Sequence, residues 1–328
     1  THPTITFHPT DMTHDLPATL PRSLPPCSLL GAPTDIGAGM RGASMGPQAL
    51  RVAGLAAALE RQGCRILDMG DLAGPVNPWQ PPIQGYRHLE QVVAWNALVF
   101  EAVTDQLQAG RLPLVLGGDH CLGVGSVGAV ARYCRRQGRP LRVFWLDAHT
   151  DFNTAWLTPS GNLHGMPVAC LCGFGPPGLV DLGGSEPALR PDMLRLIGIR
   201  SVDAGEREFV HEQGLDVYDM RTVDERGMRA IMEDALEGLP GDAHVHVSFD
   251  VDFLDPDYAP GVGTTVRGGP TWREAQLCME MLADTGRVGS VDIVELNPAL
   301  DVRNGTAKVA VELVESLFGK STLVRRPR

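Results

Sequence analysis

Short apolar runs alternate with longer segments of helical periodicity along most of the chain, and this alternation restricts the fold more than any other feature. Several runs are continuously apolar, as expected of strands buried on both faces. We predict strands at 27–31, 65–69, 112–116, 142–146, 194–199, 216–218, 243–249 and 288–294. Strands that alternate with helices form a parallel sheet with helices on both sides. The sequence therefore predicts an α/β fold, a single three-layer α/β/α domain with a parallel sheet of about eight strands.

Helices are predicted between these strands, from apolar spacing and from residues that favour helix ends. The clearest candidates are 47–62, 89–107 and a helix near 123–136. Thr222 and Thr271 are each followed three residues later by Glu, which is the capping-box pattern, so helices are expected to begin there. No change of composition and no internal repeat divides the chain. We expect a flexible N-terminal arm at 1–26 and one domain at 27–328.

The composition favours a small-molecule substrate. The net charge is −11 and no block is rich in Lys or Arg, which disfavours nucleic acid and anionic membranes as partners. Seven cysteines without regular spacing favour reduced thiols in a cytoplasmic protein. No apolar stretch approaches the roughly 18 residues needed to cross a bilayer. Residues 1–26 lack the apolar core of a signal peptide.

Polar clusters follow three of the predicted strands. Because ligands of parallel sheets gather at the carboxyl ends of strands, we expect these side chains to meet. The candidate metal ligands are His120, Asp147, His149, Asp151, Asp250 and Asp252. Six oxygen and nitrogen ligands without a thiolate suit two divalent ions, and the preference for hard ligands favours manganese over iron, cobalt or nickel. Two such ions can ionise a shared water at neutral pH.

The other histidines and cysteines receive structural interpretations. His244 and His246 lie inside a predicted strand and are expected to be hydrogen-bonded structural residues. Cys121 is interpreted as a buried free thiol, and Cys170 and Cys172 lack the second pair that a zinc site requires. We expect surface positions for the remaining histidines, which are His2, His8, His14, His88 and His211.

Five motifs, in the same order along the chain, resemble those of the ureohydrolases, and among them most closely the arginases. They are Gly117–His120, Asp147–Asp151, Ser160–Gly165, Ser248–Asp252 and Glu295–Pro298. The resemblance extends from about Leu29 to the end of the chain. It implies the arginase fold, two Mn²⁺ per subunit, and hydrolysis of L-arginine to L-ornithine and urea by a hydroxide that bridges the ions. It also implies a homotrimer or homohexamer.

The same resemblance assigns roles to individual residues. His120 and Asp151 would bind one ion, His149 and Asp252 the other, and Asp147 and Asp250 would bridge them. The implied catalytic residues are His164 as proton shuttle, Asp151 as an alternative proton donor, and Glu295 as guanidinium anchor. The implied substrate-binding residues are Asn153, Thr158, Ser160, Asn162, Asp203, Glu206, Thr264 and Glu295. The chain departs from the family pattern at Cys121, where Ser is usual, and at Phe253, where a smaller residue is usual.

Several alternatives remain open at this point. Asp203 and Glu206 suit an α-ammonium and the neutral donors of 153–162 suit an α-carboxylate, which favours L-arginine over agmatine or another guanidino acid. A G-x-G-x-x-G at Gly123–Gly128 makes a nicotinamide-dependent oxidoreductase a remote alternative. Six residues separate it from the preceding strand, so we interpret its glycines as helix packing instead. A non-catalytic binding protein would be indicated by missing ligands, and all six are present.

Overall fold

The centre of the molecule is an eight-stranded sheet in which all paired strands run parallel. The structure, a computed structural model, describes residues 25–323. The strands are β1 Cys27–Ala32, β2 Ile66–Asp71, β3 Leu112–Gly117, β4 Leu141–Leu146, β5 Leu194–Ile199, β6 Val217–Asp219, β7 His244–Asp250 and β8 Val288–Val294. All eight predicted strands are confirmed. Most of the predicted arm, including His2, His8 and His14, lies outside the described residues.

The order of the strands places the predicted ligands together. Across the sheet the order is β2-β1-β3-β8-β7-β4-β5-β6, so β3, β8, β7 and β4 are neighbours in its middle. Every residue of β3 and β7 is buried, as expected of central strands in a sheet that is covered on both faces. Because the four strands are parallel, their carboxyl ends lie along one edge of the sheet. The loops that leave this edge carry the candidate site.

Helices cover both faces of the sheet, as predicted. They are α1 Gly46–Val52, α2 Leu55–Arg61, α3 Leu89–Gln108, α4 Gly123–Gln137, α5 Pro167–Leu171, α6 Pro177–Val180, α7 Ala204–Glu212, α8 Met220–Arg226, α9 Met228–Leu236, α10 Trp272–Asp284 and α11 Gly305–Leu317. One apolar core lies against α1, α2 and α8–α11, and a second lies against α3–α7. Phe144 and Trp145, consecutive in β4, belong to opposite cores. None of the described helices is both long and apolar enough to cross a membrane.

Two helix predictions were wrong in detail. The helix predicted at 47–62 is divided, because Gly54 adopts a left-handed φ of 87° between α1 and α2. Helix α8 begins at Met220 rather than near Thr222, since Asp219 is its N-cap and accepts the backbone N–H of Thr222. The capping box at Thr271 is confirmed, with Glu274 as its partner at the start of α10.

The glycines of the G-x-G-x-x-G segment pack helix α4 against its neighbours. A Cβ on Gly123 would lie 2.9 Å from the ring of Trp145 in the sheet, and one on Gly125 would lie 2.4 Å from the carbonyl oxygen of Asn96 in α3. Gly128 faces Phe100 of α3. The glycines therefore serve packing, as interpreted, although two of them contact a helix rather than the sheet.

One histidine that was predicted to lie at the surface is buried. His88 was expected at the surface, but it is buried, because its Nδ1 lies 2.8 Å from Ile36 O and its Nε2 accepts the N–H of Gln80. His211 is exposed, as expected. His244 and His246 are confirmed as structural residues, both within 2.8 Å of Ser290 Oγ. All seven cysteines are buried free thiols.

Candidate active site

The carboxyl ends of β3, β4 and β7 bring the six candidate metal ligands into one place. Each of these side chains belongs to the last residue of its strand or lies within five residues of the strand end, which is Gly117, Leu146 or Asp250. Five of the six are at most 5% exposed, namely His120, Asp147, Asp151, Asp250 and Asp252. His149 is partly exposed, with 27% of its side chain accessible. Their grouping into ligands of particular ions stays a prediction.

The first cluster surrounds one ring nitrogen of His120. His120 Nδ1 lies 3.0 Å from Asp147 Oδ2, 3.1 Å from Asp151 Oδ2 and 3.1 Å from Asp250 Oδ2. The ligand atoms of His120, Asp147 and Asp151 all lie within 4.8 Å of one another. Three carboxylate oxygens thus converge on a nitrogen that carries at most one hydrogen.

The second cluster shares Asp147 with the first. His149 Nδ1 lies 3.4 Å from Asp147 Oδ1 and 3.1 Å from Asp252 Oδ2. The backbone orients both carboxylates, because Asp147 Oδ1 accepts the N–H of His149 and Asp252 Oδ1 accepts the N–H of Ala148. Asp147 presents one oxygen to each histidine, which is the arrangement that a bridging ligand needs.

These residues fit a pair of metal ions on the chemistry of their donors. Asp151 Oδ2 is buried and receives no hydrogen bond from any described residue. Nε2 of His120 lies 2.8 Å from Ser248 Oγ, so Nε2–H can donate there and leave the Nδ1 lone pair facing the carboxylates. A buried nitrogen lone pair and several buried carboxylates oppose one another unless a cation lies between them. Divalent ions would meet this requirement.

The electrostatics of the first cluster also favour a cation. Burial raises the pKa of Asp250 well above its ordinary value, and the nearby Asp252 and Asp147 carboxylates raise it further. Burial likewise raises the pKa of Asp151, to about 7, with Asp147 contributing. Burial opposes charge on His120, but the surrounding carboxylates outweigh it and raise the pKa of this ring well above the usual range. The cluster therefore attracts positive charge.

Trp145 supports this cluster from β4. Its ring stacks on His120, with centroids 4.1 Å apart and 6° between the planes. Its Nε1–H donates to Asp147 Oδ2 over 3.0 Å. The sequence contained a signal for this residue that we missed, because Trp145 precedes Asp147 by two positions where β4 ends, and alternate residues of an extended chain share a face.

Glu295 and His164 form a pair beside the first cluster. Glu295 Oε1 accepts the N–H of His120 over 2.8 Å and lies 2.9 Å from His164 Nδ1. Burial opposes charge on His164, but the Glu295 carboxylate outweighs it and raises the pKa of His164 to about 9. One oxygen of Glu295 is therefore occupied by protein donors, and Oε2 is left for a ligand.

Two site residues have a backbone conformation that non-glycine residues rarely adopt. Asp151 has a φ of 50° and Glu295 a φ of 63°. The surroundings hold both in place. Asp151 O accepts the N–H groups of Val168 and Ala169, and Glu295 N donates to Gly118 O. Such conformations persist only where the neighbouring structure imposes them, and they are common at functional sites.

A cavity of about 130 Å³ opens onto both clusters. Among the side chains that line it are all eight predicted substrate-binding residues, which are Asn153, Thr158, Ser160, Asn162, Asp203, Glu206, Thr264 and Glu295. His164 lines it too, and so do Gly165, which ends the Ser160–Gly165 motif, and Ser201, to which the sequence analysis assigned no role. Thr264 also donates to Asp252 Oδ2 over 3.0 Å, so it connects the cavity wall to the second cluster.

Asp203 and Glu206 differ in their surroundings. Asp203 is exposed at the start of α7, and its Oδ2 accepts from Asn153 Nδ2 over 2.9 Å. Glu206 is 4% exposed and accepts from the backbone of Phe152, from Asn153 Nδ2 and from Thr150 Oγ1. Asp203 thus has more capacity to bind a ligand, while Glu206 holds the loop that follows β4.

Comparisons with known proteins agree with this geometry. The sequence profile of the arginase family matches residues 25–319. Arginase from Bacillus caldovelox is 46% identical over 303 residues, which cover 91% of this chain and 99% of that protein. Arginase from Brucella melitensis is also 46% identical, over 91% of this chain and 98% of its own length. The crystal structure of the Bacillus caldovelox enzyme superposes with a TM-score of 0.86 at 44% identity, covering 92% of this chain and all of that one. The chain belongs to the arginase family and is an enzyme of the ureohydrolase type.

Proposed function

We propose that this enzyme hydrolyses L-arginine to L-ornithine and urea, with two Mn²⁺ ions as its cofactor. The observation that carries the proposal is one cavity with different chemistry at its two ends. The buried end holds the carboxylate of Glu295 beside the first His/Asp cluster, and the exposed end holds Asp203 with the neutral side chains of 153–162. A guanidinium, an α-ammonium and an α-carboxylate each find a complementary group along this length.

Glu295 binds the guanidinium in this proposal. Its Oε1 is held by His120 N–H and His164, and Oε2 accepts from the planar cation. Asp203 binds the ammonium at the other end, and Asn162 and Ser160 donate to the carboxylate. Because the substrate is held at both ends, its guanidinium carbon lies next to the two clusters.

His164 moves the proton that the leaving amine needs. Its Nδ1 is directed at Glu295, which leaves Nε2 to transfer a proton to the departing δ-nitrogen of ornithine. Water adds to the guanidinium carbon, the bond from this carbon to the ornithine nitrogen breaks, and urea and L-ornithine are released.

The six His and Asp side chains would hold two divalent ions in the proposed site. When bound, they lower the pKa of water so that it can act as a nucleophile at neutral pH. Manganese is our choice because the set contains four carboxylates, two imidazoles and no thiolate. The buried Asp147 and Asp250 are the proposed bridging residues.

The decisive experiment measures urea release with added manganese from L-arginine, agmatine and 4-guanidinobutyrate. We expect release from L-arginine above both others. Urea from agmatine alone would replace the proposed substrate by the main alternative, whereas no urea from any of the three would refute ureohydrolase activity in this chain.

The Asp250→Asn variant tests the metal assignment separately from activity. Loss of a bridging carboxylate should lower the manganese content, measured by plasma mass spectrometry, as well as the rate. Asp257→Asn, at an exposed aspartate outside both clusters, is the matched control and should retain full occupancy. Full occupancy in Asp250→Asn would contradict the bridging role.

We further propose a cytoplasmic homotrimer or homohexamer with reduced thiols. The seven buried free cysteines support the redox part of this proposal. Analytical ultracentrifugation of the manganese-loaded protein tests the assembly. A sedimenting monomer would contradict it.

A further inference from the structure

Arg87, just before α3, contacts the substrate loop from outside the cavity. Its Nε donates to Asn162 Oδ1 over 2.7 Å, and its Nη1 donates to Gln80 O over 3.2 Å. Asn162 lines the cavity and Arg87 does not. The Arg87 side chain therefore acts on a bound substrate indirectly, through its hydrogen bond to Asn162.

The chemistry of Arg87 determines which end of the Asn162 amide faces it. A guanidinium has donors only, so the Asn162 atom 2.7 Å from Nε has to be the carbonyl oxygen. The amide nitrogen, Nδ2, then points away from Arg87. It lies toward Gly39, on which a Cβ would be 3.0 Å from Nδ2. Arg87 therefore turns Asn162 into a donor rather than an acceptor on the side away from itself.

We propose that Arg87 is a positioning residue that gives the site part of its preference for a substrate with an α-carboxylate. By holding Oδ1, it keeps the Nδ2 hydrogens of Asn162 directed at the carboxylate. Without it, the amide can rotate and present Oδ1, which repels a carboxylate. The inference rests on the proposed hydrolysis of L-arginine. A substrate without this group, such as agmatine, gains nothing from the orientation.

A main-chain hydrogen bond and the ring of His88 hold this region independently of the Arg87 side chain. Arg87 N donates to Gly161 O over 2.8 Å. The neighbouring His88 is held through both ring nitrogens, by Ile36 O and Gln80 N. These contacts remain when the Arg87 side chain is replaced. A change in ligand binding then reports on the orientation of Asn162 rather than on the position of the loop.

The test compares Arg87→Met, which removes the donors, with Arg87→Lys, which retains a charged donor. Steady-state kinetics give KM and kcat for L-arginine, and calorimetry gives Kd for L-ornithine and for putrescine, which lacks the carboxylate. In Arg87→Met we expect KM and the ornithine Kd to rise about tenfold, with kcat nearly unchanged. The putrescine Kd should stay within about twofold, and Arg87→Lys should recover part of the loss.

A double-mutant cycle separates this role from general stabilisation or long-range charge. In an Asn162→Ala background, Arg87→Met should change the ornithine Kd very little, because the group that it positions is gone. The same loss in both backgrounds, or equal losses for ornithine and putrescine, would overturn the inference. If Arg87→Met hydrolyses arginine normally and binds ornithine with unchanged affinity, the inference about Arg87 is overturned and the proposed function stands. A wild-type enzyme that releases no urea from arginine would overturn the proposed function as well.

Discussion

Trp145 lies flat on His120 and donates its indole N–H to Asp147, so one side chain orients members of both His/Asp clusters. Trp145→Phe would keep a stacking ring and remove the hydrogen bond. We expect manganese affinity to fall by about tenfold, as is typical when a group that orients a metal ligand is lost. Calorimetric titration of the metal-free protein measures this change.

The control for that variant is the adjacent Phe144→Leu, because Phe144 faces the opposite core. This substitution should lower the stability of the fold without weakening metal binding. Equal manganese affinities in Trp145→Phe and the wild type would show that the hydrogen bond to Asp147 has no part in orienting the ligand.

His164→Asn should reduce turnover while leaving the metal site intact. Asparagine can still contact Glu295, but it cannot transfer a proton at neutral pH. We expect kcat to fall by about a hundredfold or more, within the usual range for loss of a general acid. Rate measurements paired with manganese analysis test this, and a variant that loses its metal would indicate a structural role for His164.

Asp203→Ala should weaken arginine binding far more than 4-guanidinobutyrate binding, because 4-guanidinobutyrate keeps a carboxylate but has no ammonium. Loss of a charged hydrogen bond predicts a rise in KM for arginine of about tenfold. Asp203 is also the N-cap residue of α7, so its loss could act by weakening that helix. Asp219→Ala is the matched control, because Asp219 is the N-cap of α8 and does not line the cavity. Equal losses for the two substrates in Asp203→Ala would refute the ammonium assignment.

His244 should make stability fall in mild acid. Burial, aided by Arg139 and His246, lowers the pKa of His244 from 6.5 to about 3 in the folded protein. Between these two pH values the unfolded chain binds a proton that the folded chain does not, so stability decreases as the pH falls and is fully present above pH 6.5. Each unit of difference corresponds to about 1.4 kcal/mol, which predicts a loss of a few kcal/mol across the window.

Urea denaturation of metal-free protein at several pH values measures this dependence. His244→Gln should flatten it, and His211→Gln, at an exposed histidine, should not. Identical slopes for the wild type and His244→Gln would mean that other groups dominate the acid response.

The strands and the two His/Asp clusters were predictable from sequence, because both depend on the pattern of neighbouring residues along the chain. Apolar runs marked β3, β4 and β7, and in a parallel sheet the residues that follow such runs share one edge. His88 was misplaced because its burial depends on Ile36 and Gln80, which belong to different loops. Gly54 and Asp219 altered two helix starts through single backbone conformations and caps, which are weak signals in sequence.

The substrate loop was recognised by its motif, but its support was not. Nothing in the sequence near Asn162 indicates Arg87, which lies 75 positions earlier. Glu206 was predicted to contact the substrate, and the structure adds that its carboxylate accepts hydrogen bonds from Thr150, Phe152 and Asn153. Contacts between distant loops depend on the tertiary fold, so patterns of neighbouring residues do not contain them.

The left-handed backbone at Asp151 and Glu295 has a consequence for engineering this enzyme. Glycine at either position would relax a conformation that costs roughly 1–3 kcal/mol, and it would also remove a carboxylate from the cavity wall. Searches that select variants for heat resistance alone should therefore favour substitutions that inactivate the enzyme. A screen for a more robust catalyst has to hold both positions fixed and seek its gains in the helical layers.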